Sequence, residues 1–330
     1  AGEANAGENP RQIGRAYHNF ARLTRAIRQY ALYERKNNAR ILANPWNNVI
    51  ISLFDMPCEG MSGRRTETFV YKRGVNRVFR AEDYVKVRDL DEAYELCQKR
   101  SSLIVGGMAW LKMTSVTKRV IVDLSGLGLD KIEETDREFK IGCMCTLRQL
   151  ETHPGLNQYF NGIFKECTRH IVGVQLRNSA TVGGSVYARF GFSDILTCLM
   201  ALDTYVELHH EGVVPLAEFA ARPVSRDDRD ILVRIIIRKD GRKAAYTTQR
   251  NSRTDFPLIA CCVSRLGDHW YVAVGARPAR ARLTEVTDDG NESLAELAGE
   301  AANAFSYGTN NRGSGEYRRQ LAAVYIRRSE

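Results

Sequence analysis

The 330-residue chain reads as an α+β protein in two layers. Three observations predict this. Short apolar runs alternate with helical stretches through the first half of the body, which begins near Val78. Strands paired about turn residues dominate the later half. Two helices then close the chain.

Residues 1–9 are small and polar, a composition that builds no core. In residues 10–36, Ile13, Tyr17, Phe20, Thr24 and Ile27 recur at helical spacing, with arginines over much of the remainder. Three readings of this basic amphipathic helix stand: a helix docked through its apolar stripe, a targeting or partner-binding helix, or an extension with no selected fold. "NPWNN", "MPCEGMSGRR" and "KRG" punctuate the chain to about residue 76 and read as a linker.

In the body, Asp89 is placed as the N-cap of "LDEAYELC", with Glu92 three residues on. "SLIV" is a short buried strand that runs into Gly106 and Gly107, and "KRVIVD" and "EFKIGCMCT" are further strands. "LRQLETH" is a short helix, and residues 158–170 read as one helix with Phe160, Ile163, Phe164 and Cys167 on one side. A helix begins at Ser193, and "TYVELHH" is a strand. "ILVRIIIRKDGRKAAYTTQ" reads as a hairpin about Lys-Asp-Gly, and "PLIACCVSRLGDHWYVAVGARP" as a second. Helices follow near 292–305 and 314–327.

The net charge of +9 suggests a nucleic-acid binder until it is located. Residues 1–80 hold 14 Lys and Arg against 6 Asp and Glu, a net +8, which leaves the body close to neutral. No apolar run approaches the length of a membrane span. The eight cysteines form no C-x-x-C and no ferredoxin spacing, so buried thiols in a reducing cytoplasm are expected rather than disulfides or an iron–sulfur cluster. The histidines are scattered, and His209-His210 reads as surface rather than metal site. No Ser-His-Asp or Cys-His set stands out, so no catalytic residue is assigned.

The chemistry-bearing feature is a repeated glycine pair. Gly106-Gly107 and Gly183-Gly184 are separated by 77 residues, and each is expected to follow a strand. Bare backbone permits positive φ and close approach, and successive N–H groups there make a nest for an anion such as phosphate. Neither pair belongs to a Rossmann or P-loop fingerprint. Asp194, ten residues past the second pair, either caps the following helix with Ser193 or accepts from a sugar hydroxyl.

"LIVGGMAWL" followed by "QLRNSATVGGSVYARFGFSD" resembles the FAD-binding subunit of molybdenum hydroxylases, the flavoprotein of the xanthine dehydrogenase and carbon monoxide dehydrogenase family. The similarity continues through "VIVDLSGLGLDKIE", "IGCMCTLRQLE", "RTDFPLIACCV" and "GSGEYRRQLAAVYIRR". It implies a two-subdomain FAD-binding domain of the vanillyl-alcohol-oxidase-like type over 78–240. A smaller C-terminal domain of antiparallel sheet plus helices follows over 241–330, and residues 1–77 remain a basic, partly disordered extension.

The resemblance also implies which residues hold FAD. Leu103, Ile104 and Val105 lead into Gly106 and Gly107, and with Met108, Ala109 and Trp110 they would wrap one side of the pyrophosphate. Thr181, Val182, Gly183, Gly184 and Ser185 would cover the other, and Asp194 would contact the sugar. Gln249 aligns with a lysine that approaches the flavin in the family, with Arg250 adjacent. Met108 and Ala109 replace the usual Thr and Asp, Asn or Ser, and Ser185 stands where Asn is commoner. "RFGF" replaces a small residue and Pro, which would bring Arg189 or Phe190 toward the ring.

The implied function is electron transfer from partner [2Fe–2S] clusters through FAD to NAD or another acceptor, with a molybdopterin-binding large subunit and a [2Fe–2S] small subunit as partners. The alternative is a non-catalytic assembly or electron-transfer module with a non-NAD acceptor. A self-contained flavin oxidase is disfavoured because no substrate domain is evident.

Overall fold

The computed structural model describes residues 79–223 and 229–329. The helix expected at 10–36 and the linker after it lie outside the described residues.

The first layer is a parallel sheet. Strand β1 (Arg80–Lys86) leads into helix α1 (Leu90–Cys97), then β2 (Ser102–Val105) and β3 (Thr117–Asp123), and the sheet order is β1-β3-β2. Asp89 caps α1 as expected, its side chain accepting from Glu92 N at 2.8 Å. Glu92 reaches back one residue further than a capping box requires, accepting from the N–H of Arg88 at 2.9 Å.

The second sheet is antiparallel, with order β4-β5-β8-β6-β7. It is built from β4 (Ile132–Glu134), β5 (Glu138–Gly142), β6 (Thr204–Leu208), β7 (Gly212–Pro215) and β8 (Leu232–Arg238). Between β5 and β6 run short helices: α2 (Leu147–Thr152), α3 (Pro154–Tyr159), α4 (Ile163–Thr168), α5 (Val174–Arg177), α6 (Val182–Tyr187) and α7 (Asp194–Met200). Helix α8 (Leu216–Ala221) follows β7. The single helix expected over 158–170 is broken. Asn161 and Gly162 both adopt left-handed φ, 50° and 77°, which ends α3 and restarts the chain as α4.

The third sheet has order β12-β11-β10-β9, from β9 (Lys243–Arg250), β10 (Pro257–Leu266), β11 (His269–Gly275) and β12 (Arg282–Thr287). The second hairpin is present as β10 and β11. The first is not: β8 lies in the second sheet and β9 in the third. Strand β8 already has β5 and β6 on its two edges, so β9 finds no free edge there. The crossing is fixed by Arg242, buried, which donates to Ala201 O at 3.0 Å and to Asp240 at 2.6 Å.

Helices α9 (Leu294–Asn303) and α10 (Gly315–Arg328) cover the outer face of the third sheet. Strand β10 explains the apolar run that holds two adjacent cysteines. Ala260 and Cys262 face the core shared with α4 and α7, while Cys261 and Val263 face α9 and α10. A strand buried on both faces reads as continuous hydrophobe. The bulge at Leu258 shifts the register, and its carbonyl accepts from the fully buried Arg318 at 2.8 Å. The seven cysteines among the described residues are all buried and none is paired.

Candidate functional site

The segments that carry the two glycine pairs meet, but not for the reason their sequence suggests. None of the four has positive φ. A Cβ on Gly107 would lie 1.3 Å from the carbonyl oxygen of Ser179, and one on Gly106 would lie 2.4 Å from Thr181 Oγ1. The first pair is therefore bare because the second segment presses on it. The left-handed residue is Met108, at φ 52°. That conformation is one from which backbone N–H nests are built. Among the described residues, the N–H groups of Gly107, Met108 and Ala109 have no backbone acceptor in the protein.

The second pair also departs from expectation. It follows helix α5, not a strand, and it lies in the first turn of α6. Thr181 caps that helix, accepting from Gly184 N at 3.2 Å. The amides around it are committed internally. Val182 N donates to Cys145 O at 2.8 Å, Gly183 N to Cys143 O at 2.9 Å and Ser185 N to Thr181 O at 3.1 Å. The Ser185 hydroxyl also donates to Thr181 O, at 2.9 Å. Gly183 is bare for packing, since a Cβ there would lie 2.6 Å from Cys143 O. Gly184 is exposed, and a Cβ there would meet only Thr181 Oγ1, at 3.1 Å.

Arg177, at the head of the "RNSAT" motif, is buried and holds this segment in place. Its guanidinium binds both oxygens of Glu151, at 2.8 and 3.2 Å, and donates to Ile171 O at 3.2 Å. Burial alone would raise the Glu151 carboxyl, but Arg177 and Arg148 outweigh it and hold the group below the usual carboxylate range.

Between the first sheet and α6 lies a cavity of about 290 Å³. From the expected residues, Leu103, Ile104, Val105 and Gly106 form one wall, and Thr181, Gly183 and Gly184 meet them from the other side. Sequence reasoning missed Ser102, Lys118, Tyr187, Arg229, Ile231 and Leu232, which are also in the lining. Ile231 and Leu232 were legible only as strand. Ser102 Oγ is buried and has no hydrogen-bond partner in the protein.

The other expected residues are placed elsewhere. Gly107, Met108, Ala109, Val182 and Ser185 belong to the two segments but are not in the cavity wall. Trp110 turns to an aromatic cluster, stacked on Phe256 at 5.4 Å and edge-on to Phe192 at 5.9 Å. Gln249 accepts from the Tyr325 hydroxyl at 2.6 Å, which ties β9 to α10. Arg189 is buried over the ring of Phe219 at 4.0 Å, and Phe190 stacks on Phe192 at 5.1 Å.

Ser193 caps α7, and Asp194 is its first residue. The Asp194 carboxylate is buried, away from the cavity lining, and accepts from Arg250 and from the Tyr246 hydroxyl, each at 2.5 Å. Burial pushes this carboxyl up, and Arg250 pulls against it.

His209 pairs with Asp91 at 2.8 Å, and His210 stacks on Tyr94 at 3.7 Å, so both pack against α1. Among the described residues, no group of three or more His, Cys, Asp or Glu is placed to hold a metal, and no helix is long and apolar enough to cross a membrane.

Comparison with known proteins bears on this arrangement. Residues 77–239 match the family model described as the FAD-binding domain in molybdopterin dehydrogenase. The chain is 24% identical over 252 residues to the uncharacterized protein YgfM of Escherichia coli K12, covering 74% of this chain and 93% of YgfM. It is 25% identical over 269 residues to the nicotine 6-hydroxylase medium subunit of Paenarthrobacter nicotinovorans, covering 74% of this chain and 95% of that subunit. A carbon monoxide dehydrogenase chain from Hydrogenophaga pseudoflava shares the fold, with a TM-score of 0.63 at 20% identity over 75% of this chain and 95% of that one, and the quinoline 2-oxidoreductase of Pseudomonas putida 86 scores 0.63 at 19% identity over 76% of this chain and 94% of that one.

Proposed function

We propose, from the match of residues 77–239 to the FAD-binding domain in molybdopterin dehydrogenase, that this chain is the FAD-carrying medium subunit of a molybdenum hydroxylase-type complex. In this reading a large subunit holds the molybdopterin and a small subunit the [2Fe–2S] clusters. Electrons pass through FAD to NAD or another acceptor, in the cytoplasm. The similarity to a medium subunit over 95% of its length supports the subunit role.

One observation carries the cofactor assignment. Two glycine segments 77 residues apart converge on a single cavity, and its walls suit a nucleotide. The cavity is largely apolar, with Lys118 and Arg229 in its lining. Its 290 Å³ lies near the lower end of the ~300–1,000 Å³ of small-molecule sites, which suits one half of a dinucleotide. We read it as the seat of the ADP half, within a two-subdomain fold of the vanillyl-alcohol-oxidase-like type. The chemistry a bound FAD supplies is the uptake and release of one or two electrons.

The chain's own residues bind and orient. The N–H groups of Gly107, Met108 and Ala109, which follow the cavity wall at Gly106 and have no backbone acceptor among the described residues, would bind the pyrophosphate where it leaves the cavity, and Gly184 leaves room beside it. Ile104, Ile231 and Leu232 exclude water from the base. Asp194 acts by position, fixing Arg250 and Tyr246 between α7 and β9.

The alternative module with a non-NAD acceptor is favoured by one observation. The amides of residues 182–185 are spent inside the protein, so phosphate binding falls on the first segment alone. The test is an absorbance spectrum of the purified chain followed by titration with FAD. Flavin bands, with FAD released on denaturation, are expected. A chain that stays colourless and binds no added FAD would leave only the fold in common and put the assembly module first.

A further inference from the structure

We propose that Ser102 reads the base of the nucleotide and so determines which half of FAD this cavity accepts. The inference rests on the FAD reading above and deepens it.

Ser102 opens β2, and Gly106 follows the strand's end. Side chains at 102 and 104 and the bare position at 106 share one face of the strand. Four residue steps at ~3.3 Å each separate the two ends by roughly 13 Å, the reach of an extended nucleoside diphosphate. Strand β2 is thus a ruler along the cavity wall. The glycine segments converge at one end, where the phosphates belong, so the base lies at the Ser102 end.

The polar groups at that end are otherwise engaged. Lys118 Nζ donates to Arg100 O at 2.9 Å, and the Cys97 thiol donates to Arg229 O at 2.7 Å. The Arg229 guanidinium donates to Cys97 O and Lys99 O, at 2.6 and 3.0 Å. Ser102 Oγ differs. Its residue is 3% exposed and belongs to the cavity lining, and the oxygen has no partner in the protein. A buried hydroxyl without a partner is costly, and it is kept where a ligand completes it. A serine hydroxyl can donate to a ring nitrogen or accept from an exocyclic amine, and adenine offers both on one edge.

This assignment makes stability and binding move in opposite directions. Ser102→Ala removes an unpartnered hydroxyl and leaves a methyl group that the apolar wall accommodates. The ligand-free variant should melt at or above the wild-type temperature. Its affinity for FAD and for ADP should fall about 3- to 10-fold, the worth of one neutral hydrogen bond, while FMN, which lacks the adenylate, is unaffected.

The experiment is calorimetric titration of the full chain and of Ser102→Ala with FAD, ADP and FMN, beside thermal melts of both without ligand. If the wild-type chain binds neither FAD nor ADP, the FAD reading itself fails. If it binds both and Ser102→Ala binds them equally well, the FAD reading stands and the role of Ser102 is overturned. Equal losses for FMN and FAD would overturn the placement of the base. A lower melting temperature for the ligand-free variant would show that the hydroxyl serves the fold instead.

Discussion

Gly107→Ala tests whether the two glycine segments meet as described. The added Cβ would lie 1.3 Å from Ser179 O and 2.3 Å from the carbon of that carbonyl. To reach even 3.0 Å, the Ser179 backbone must retreat by about 1.7 Å. Backbone cannot rotate aside as a side chain can, so the cost belongs at the upper end of overpacking, about 3 kcal/mol. For a unit of this size that lowers the melting temperature by roughly 6–12 °C. The displacement also carries Thr181 away from Gly106, so FAD binding should be lost with it. Gly184→Asp is the matched control: its position is exposed, so the melting temperature should hold while the added charge beside the pyrophosphate abolishes FAD binding. Differential scanning fluorimetry and FAD titration of both variants decide the matter. A Gly107→Ala protein that melts and binds FAD like wild type would refute the convergence.

Four further outcomes follow from the geometry. Glu151→Gln leaves Arg177 buried without its counter-charge and should cost about 3 kcal/mol near neutral pH. Because the Glu151 carboxyl is held below its unfolded value of about 4.3, its contribution is present above that pH and disappears as pH falls through the lowered value. Denaturant melts of the two proteins should therefore converge in acid. Arg318→Met strips the donors from Leu258 O, Gly308 O and Gly313 O, and a loss of at least ~3 kcal/mol is expected in the same assay. Asp194→Asn should lower stability through the unpaired Arg250 yet leave FAD affinity unchanged in the folded fraction; a large selective loss of affinity would instead place Asp194 against the sugar. Burial pushes the thiols of Cys143 and Cys145 up to about 12, so neither should react with a thiol reagent at neutral pH until the protein unfolds.

Local signals in the sequence were read well where they act locally. Asp89, Ser193 and the turn between β10 and β11 are placed as expected, because a cap or a tight turn depends on a few adjacent residues. The glycine pairs are visible in the sequence, but the cause of their bareness is not. Whether a glycine is bare for positive φ or for a neighbour depends on Ser179 and Cys143, which no local pattern reveals. The assumed hairpin of β8 and β9 failed for a similar reason, since strand pairing depends on which edges other strands have filled. Ser102, Arg229 and Ile231 carry no motif at all, and only the fold brings them to one cavity. The ties of Gln249 to Tyr325 and of Asp194 to Arg250 span 76 and 56 residues, distances over which spacing says nothing.

Strand β10 sets a limit on how this protein can be divided. It is the common wall of two cores, with Ala260 and Cys262 on one side and Cys261 and Val263 on the other. A cut after residue 240 severs one peptide bond but strips the inner core of a wall and leaves the C-terminal piece with an apolar sheet face open to water. Neither fragment should be soluble alone, and co-expressed fragments should recover each other. The same wall joins the two halves in unfolding, so heat should melt the body in one transition rather than two.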